Sequence, residues 1–204
     1  MVNATAKPFN QRLRIFALRL FFVLAFPLII FTTSAWQGGP VAELLEVIGI
    51  FLIVACVIGR FWAILFIGAA KNQTVMQDGP YSFCRHPLYL FSTLGTLGLG
   101  LLLGSFTLTL FLGLSVFFIL TATAKREEAF LRSEFGPNYD NYAARVPRIL
   151  PDLSLYQSPA TVMASIPALR VTFADALVFL SFIPLVELLR GLQAANNWPT
   201  FPLY

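Results

Sequence analysis

Charge is scarce in this 204-residue chain: Lys, Arg, Asp and Glu together supply 12% of it. With 57% hydrophobic residues and 21 phenylalanines beside so little charge, an ordinary water-soluble surface is excluded. Cysteine is almost absent. Cys56 falls within an apolar run and Cys84 beside Arg85, both on or within the side read below as cytoplasmic, so no disulfide is expected. Nothing marks the Cys84 thiolate as stabilised, and it is not read as a nucleophile. There is one histidine, His86, and no internal repeat or low-complexity segment. Basic residues are missing from two connections, 36–40 and 104–105.

What the chain does contain is apolar sequence in long windows. Five of them, 15–35, 41–67, 88–104, 105–124 and 172–192, suit a hydrocarbon core of about 30 Å. Within lipid the backbone must satisfy its own hydrogen bonds, which leaves helices or a closed barrel, and these runs are neither short nor alternating. The expected fold is all-α: one polytopic membrane domain, 1–204, with about five transmembrane helices and a cytoplasmic helical segment. Lys7, Arg12, Arg14 and Arg19 precede or open the first window, and Lys71 and Arg85 lie between the second and third. Lys125, Arg126, Arg132, Arg145, Arg148 and Arg170 lie between the last two. Positive residues thus sort to one side, which puts the N-terminus and its connections in the cytoplasm and the C-terminus outside. The net charge of +4 is explained by this sorting and needs no nucleic-acid partner. Residues 1–14 are expected to rest as a basic arm on lipid headgroups.

Turn and packing signals divide the windows. Gln37-Gly38-Gly39-Pro40 makes the first two helices antiparallel neighbours, and Pro87 suits the first turn of a helix. Gly95, Gly98, Gly100 and Gly113 allow close helix approach. Arg60 either snorkels to the headgroups or meets an anionic group at a site. The helix through Lys125 is predicted to leave the membrane and end at Gly136-Pro137. Asn138 would then cap a short helix carrying Tyr139, Tyr142 and Val146 on one face, and 152–170 would be a surface loop.

Two polar islands interrupt the apolar sequence. The first, 78–89, holds Arg85, His86 and Tyr89; the second, 125–128, holds Glu127 and Glu128. A two-residue turn between the third and fourth windows makes them an antiparallel hairpin with both islands at its open end. Packed helices stand about 8–10 Å apart, so the islands fall within reach of one shared ligand. Separately, Arg85 and His86 could merely anchor a span and Glu127-Glu128 merely pair with Arg126 or Arg132; their order across one hairpin favours a site. Tyr139 and Tyr142 fit either a cofactor contact or an interfacial aromatic belt.

The pattern Gly79-Pro80-Tyr81-x-x-x-Arg85-His86-Pro87-x-Tyr89, a hairpin, then Glu127-Glu128-x-x-Leu131-x-x-x-Phe135-Gly136-x-x-Tyr139-x-x-Tyr142-x-x-Arg145-Val146-Pro147-Arg148 resembles the isoprenylcysteine carboxyl methyltransferase and phospholipid methyltransferase family. It spans residues 79–151, a little over a third of the chain. Phe91 departs from it, since the family often has glycine there. The resemblance implies a membrane methyltransferase using S-adenosylmethionine, with no metal. The catalytic residues would be Arg85, His86 and Glu128, and the cofactor set would add Tyr81, Tyr89, Glu127, Tyr139 and Tyr142. Chemically, Arg85 can take the cofactor carboxylate in a fork, His86 can donate to it, and Glu127 or Glu128 can accept from the ribose diol or the ammonium. Tyr89, Tyr139 and Tyr142 offer hydroxyls, and ring faces to a sulfonium.

The expected partners are membrane lipids and a lipophilic acceptor, foremost the carboxylate of an isoprenylcysteine, with a lipid amine or small thiol as alternatives. A sterol-reductase-like oxidoreductase using NADPH and a non-catalytic membrane protein are the competing classes. The acceptor is expected to enter sideways from the bilayer, past Gly95 and Gly98.

Overall fold

A computed structural model describes residues 11–68, 74–196 and 198–204; Lys7 with most of the N-terminal arm, and Lys71, lie outside them. The elements run α1 (Gln11–Ile30), β1 (Thr32–Ser34), α2 (Pro40–Ile67), α3 (Pro80–Phe83), α4 (Pro87–Leu102), α5 (Phe106–Phe135), α6 (Pro137–Arg145), a 3-10 turn (Leu153–Leu155), α7 (Ile166–Ala195) and β2 (Phe201–Leu203). The architecture is the expected all-α membrane fold. Four helices, α1, α2, α5 and α7, are long and apolar enough to cross a membrane.

The fifth apolar helix is shorter than its window. α4 has 16 residues, so it rises roughly 24 Å against a hydrocarbon core of about 30 Å. Pro87 starts it, and Gly104, at φ 74, turns the chain towards Ser105, whose hydroxyl accepts from the Leu108 N–H to begin α5. Nine of its residues are buried, so α4 is an interior helix whose length need not match the lipid. The outward faces of the others are apolar, with Phe16, Leu24 and Phe51 well exposed, as a lipid environment requires.

Helix ends differ from expectation for local reasons. The first window loses residues 31–35, because Thr32–Ser34 forms a strand paired in parallel with Phe201–Leu203. The loop expected over 152–170 ends early: the Ser165 hydroxyl caps α7 at the Ala168 N–H, and Pro167 sits in its first turn. Likewise α6 is opened by Pro137 behind Gly136, at φ 54, so Asn138 lies inside the helix and does not cap it.

α2 and α4 approach through glycine. A Cβ on Gly49 would lie 2.7 Å from the Gly98 carbonyl oxygen, and one on Gly98 would lie 2.8 Å from that of Gly49. Gly95 meets Cys56 and Phe179, Gly100 meets the backbone of Thr109, and Gly113 meets Leu97. The four glycines therefore serve close packing, but Gly95 and Gly98 face α2 and α7 and line no opening to the bilayer. Arg60 follows neither expected course. It donates to Ser92 Oγ at 2.7 Å and Asp175 Oδ2 at 2.6 Å and lies over the Phe179 ring, tying α2 to α4 and α7.

This packing makes two glycines a matched test. Gly49→Ala is expected to destabilise by about 1–3 kcal/mol, because only backbone surrounds the new methyl. Gly191→Ala has open space around it and a helical position, so it should be neutral or stabilising. Unfolding in mixed micelles should separate the pair; equal stabilities would contradict this packing.

Candidate functional site

The first island is held by backbone pairing to a segment beyond the second. Gly79, at φ 59, turns the chain into α3, after which Cys84 is fully extended. There the Arg85 N–H donates to the Pro147 oxygen at 2.9 Å and the His86 N–H to the Arg148 oxygen at 3.1 Å, while the Asp152 N–H donates to the Phe83 oxygen at 3.0 Å. The Cys84 thiol lies 3.2 Å from the Ile149 oxygen, and burial pushes it up to about 12, which leaves it un-ionised. Tyr142 closes α6 over α3 by donating to the Tyr81 carbonyl oxygen at 2.7 Å.

Glu128 stands at the centre. Its side chain is 0% exposed, and four nitrogens surround it. Arg148 donates through Nε to Oε1 at 2.9 Å and through Nη2 to Oε2 at 2.8 Å, a two-pronged fork. His86 Nε2 lies 3.2 Å from Oε1 and Arg85 Nη1 3.3 Å from it. A carboxylate only accepts, so the His86 contact requires the proton on Nε2. Burial would raise the Glu128 pKa; hydrogen bonds from His86 and Arg148, with the charge of Arg85, outweigh it and hold the carboxyl at about 2. The same contact raises the Arg148 pKa.

Glu127 faces the other way, partly exposed. Its Oε2 accepts from the Tyr89 hydroxyl at 2.8 Å and lies 3.8 Å from His86 Nδ1. The Tyr89 ring stacks on His86 with 5.2 Å between centroids, and Arg14 of α1 donates to the Tyr89 hydroxyl at 2.9 Å. The structure thus joins Arg85, His86, Tyr89, Glu127 and Glu128 in one cluster, with Tyr81 and Tyr139 at its border. Tyr142 is spent on the Tyr81 carbonyl. Arg132 pairs with Asp140, so neither glutamate is neutralised by it. Glu128 is fully buried behind its donors, so Glu127, which is partly exposed, is the carboxylate more open to a ligand.

Among the described residues, three buried donors in this region make no well-formed hydrogen bond: Arg85 Nε and the hydroxyls of Tyr81 and Tyr139, although the Arg85 guanidinium lies near the Tyr139 hydroxyl. Burial pushes the Tyr139 phenol up to about 12, with Glu128 adding to the rise and Arg85 opposing it, so it remains a donor at neutral pH. Leaving such groups buried and unpaired costs about 1–3 kcal/mol each, a cost that an incoming acceptor removes. Clefts of about 170 Å³ between β1, α2 and α7 and about 400 Å³ beside α6 are lined by none of the cluster residues. Among the described residues no group of three His, Cys, Asp or Glu could hold a metal ion.

Two site residues were missed from sequence. Arg148 closes the resembled pattern and so carried a signal, but it was counted only as a topological charge. Arg14 stands 75 residues from Tyr89, was assigned to a headgroup-bound arm, and carried no local signal.

Because its folded pKa is depressed, Glu128 contributes stability that is fully present above its usual value of 4.5 and is lost as pH falls towards about 2. The expected loss across that window is on the order of 3 kcal/mol. In Glu128→Gln the pH dependence of unfolding between 5 and 2 should flatten. A wild-type slope in that variant would place the titration elsewhere.

Residues 41–138 match the family described as Phospholipid methyltransferase. The chain is 36% identical over 178 residues to the cobalt-zinc-cadmium resistance protein CzcN of Cupriavidus metallidurans, covering 87% of this chain and 81% of that one. It is 32% identical over 170 residues to the nickel-cobalt-cadmium resistance protein NccN of Alcaligenes xylosoxydans xylosoxydans, covering 83% and 79%. A shorter match, 36% over 81 residues, covers 40% of this chain and 34% of the protein-S-isoprenylcysteine O-methyltransferase of Schizosaccharomyces pombe. No solved structure matches. By these matches the chain belongs to the isoprenylcysteine carboxyl methyltransferase and phospholipid methyltransferase family of membrane methyltransferases.

Proposed function

We propose that this protein transfers a methyl group from S-adenosylmethionine to a lipophilic acceptor, foremost the carboxylate of an isoprenylcysteine-like molecule. The observation that carries this reading is the set of unpartnered donors, Arg85 Nε, Tyr81 and Tyr139, bordering a cluster in which Glu127 remains available. That donor and acceptor set fits the cofactor: Arg85 and the two phenols suit a carboxylate and ribose oxygens, and Glu127 suits an ammonium or the ribose diol. Glu128 acts one step back, orienting Arg85, His86 and Arg148, and is a positioning residue. When bound, the cofactor supplies an electrophilic methyl on a sulfonium: an acceptor oxygen's lone pair forms the new C–O bond as the C–S bond breaks, leaving a neutral methyl ester and a neutral thioether. The residues therefore need to align the reactants and exclude water, and no covalent intermediate with the protein is required. Because opposite charges disappear as the bond forms, a dry apolar setting favours the step.

A lipid amine or a thiol would be methylated by the same displacement. Family membership favours methyl transfer over a reductase or a scaffold, and the relative from Schizosaccharomyces pombe bears a name that states this reaction. The sorting of basic residues supports a cytoplasmic cofactor site, with the acceptor arriving from the bilayer.

Titration of the purified protein with S-adenosylmethionine tests the reading. Arg85→Ala and His86→Ala should each weaken binding by on the order of 2 kcal/mol or more. Tyr139→Phe is more discriminating: it removes a buried, unpaired hydroxyl, so the free protein should be as stable or more stable while cofactor affinity falls. Absence of saturable cofactor binding, or wild-type affinity in all three variants, would contradict the proposal.

A further inference from the structure

Arg14 is placed where a snorkelling arginine would not be. It belongs to the first turn of α1, whose neighbours Leu13, Ile15 and Phe16 are exposed on the lipid side. A headgroup anchor would extend outward; Arg14 turns inward, half-buried, lies 5.5 Å over the Tyr89 ring and donates through Nη1 to its hydroxyl. One turn further along α1, Leu18 packs with Tyr89, Val116, Leu120 and Ala124, so this face of the helix is fixed against α4 and α5.

Arg14 makes no direct ion pair among the described residues, and residues 1–10, 69–73 and 197 include no acid; Arg19, Arg126, Arg145 and Arg170 likewise pair with no carboxylate, but Arg14 differs in turning onto Tyr89 of the first island. Its one bond to a described residue goes to a neutral phenol, which in turn donates to Glu127. The arrangement is an ion pair held open by a hydroxyl. A guanidinium has five donors in a planar fork suited to a carboxylate or phosphate, and the described residues take one of them. Tyr89, on which it rests, stacks on His86, so an anion taken by Arg14 lies beside the cluster at the lipid-facing edge.

We propose that Arg14 is a specificity-determining residue that binds the anionic head of the acceptor, a carboxylate or a lipid phosphate, as it arrives from the bilayer along α1. This rests on the methyl-transfer reading for the meaning of "acceptor". In a carboxylate acceptor, one oxygen is held by Arg14 and the other is left to attack. The route lies on the α1, α4 and α5 side of the molecule, away from Gly95 and Gly98.

The test is equilibrium binding to the full chain in nanodiscs, with ratios as the readout. One arm compares N-acetyl-S-farnesylcysteine with its carboxamide; the other compares phosphatidic acid with diacylglycerol. Wild type should prefer the anion in at least one arm by about tenfold or more, Arg14→Gln should abolish that preference, and Arg14→Lys should retain part of it. The arm that responds identifies the source of the anion. A ratio cancels general losses of affinity, and the lysine variant guards against misfolding. An anion preference unchanged in Arg14→Gln, or none in wild type in either arm, overturns the proposal. Absence of cofactor turnover with the preference intact would instead count against methyl transfer and leave the Arg14 site standing.

Discussion

A carboxylate with no exposure to solvent cannot remain charged unless it is paired, and at Glu128 that constraint organises the end of the molecule that carries the two polar islands. Desolvating it alone would cost several kcal/mol, and the fork of Arg148 with His86 and Arg85 offsets that cost. The three donor side chains come from the end of the first island and from the segment beyond α6. One buried charge therefore fixes the entry to α4, the end of α5 and the extended segment 147–152 together. The backbone bonds between 83–86 and 147–152 follow the same geometry, so the ion cluster and the pairing support each other.

The rest of the fold serves to deliver these pieces. The glycine contacts between α2 and α4 bring an interior helix, too short to need lipid on any side, to the axis of the bundle. Its first turn then presents His86 and Tyr89 to α5. At the opposite end Arg190 donates to Glu46 and Glu187, and the pairing of β1 with β2 fixes the connections. This polarity is consistent with the proposed methyl transfer, in which a charged cofactor would come from water and an acceptor from lipid.

Much of this was legible in the sequence because membrane helices announce themselves by length and composition, and because turn residues such as Gly136-Pro137 act locally. The meeting of Arg85-His86 with Glu127-Glu128 followed from a two-residue turn and the spacing of packed helices. What could not be read depended on distant partners. That Arg148, 20 residues away, forks onto Glu128 could not be read from local sequence. Arg60 carried two readings and took a third because Asp175 lies 115 residues on, and Thr32–Ser34 left its helix to pair with residues near 201. Arg14 was invisible as a site residue for the same reason.

The central claim is that Glu128 and Arg148 act as one unit that ties the two halves together. A double-mutant cycle with Glu128→Gln and Arg148→Gln, read as unfolding free energy at neutral pH, tests it directly. If each residue exists to neutralise the other, the second substitution should cost almost nothing once the first is made, with a coupling of about 2 kcal/mol or more. Additive losses would mean that the two residues stabilise the fold separately and that the buried carboxylate is not its keystone.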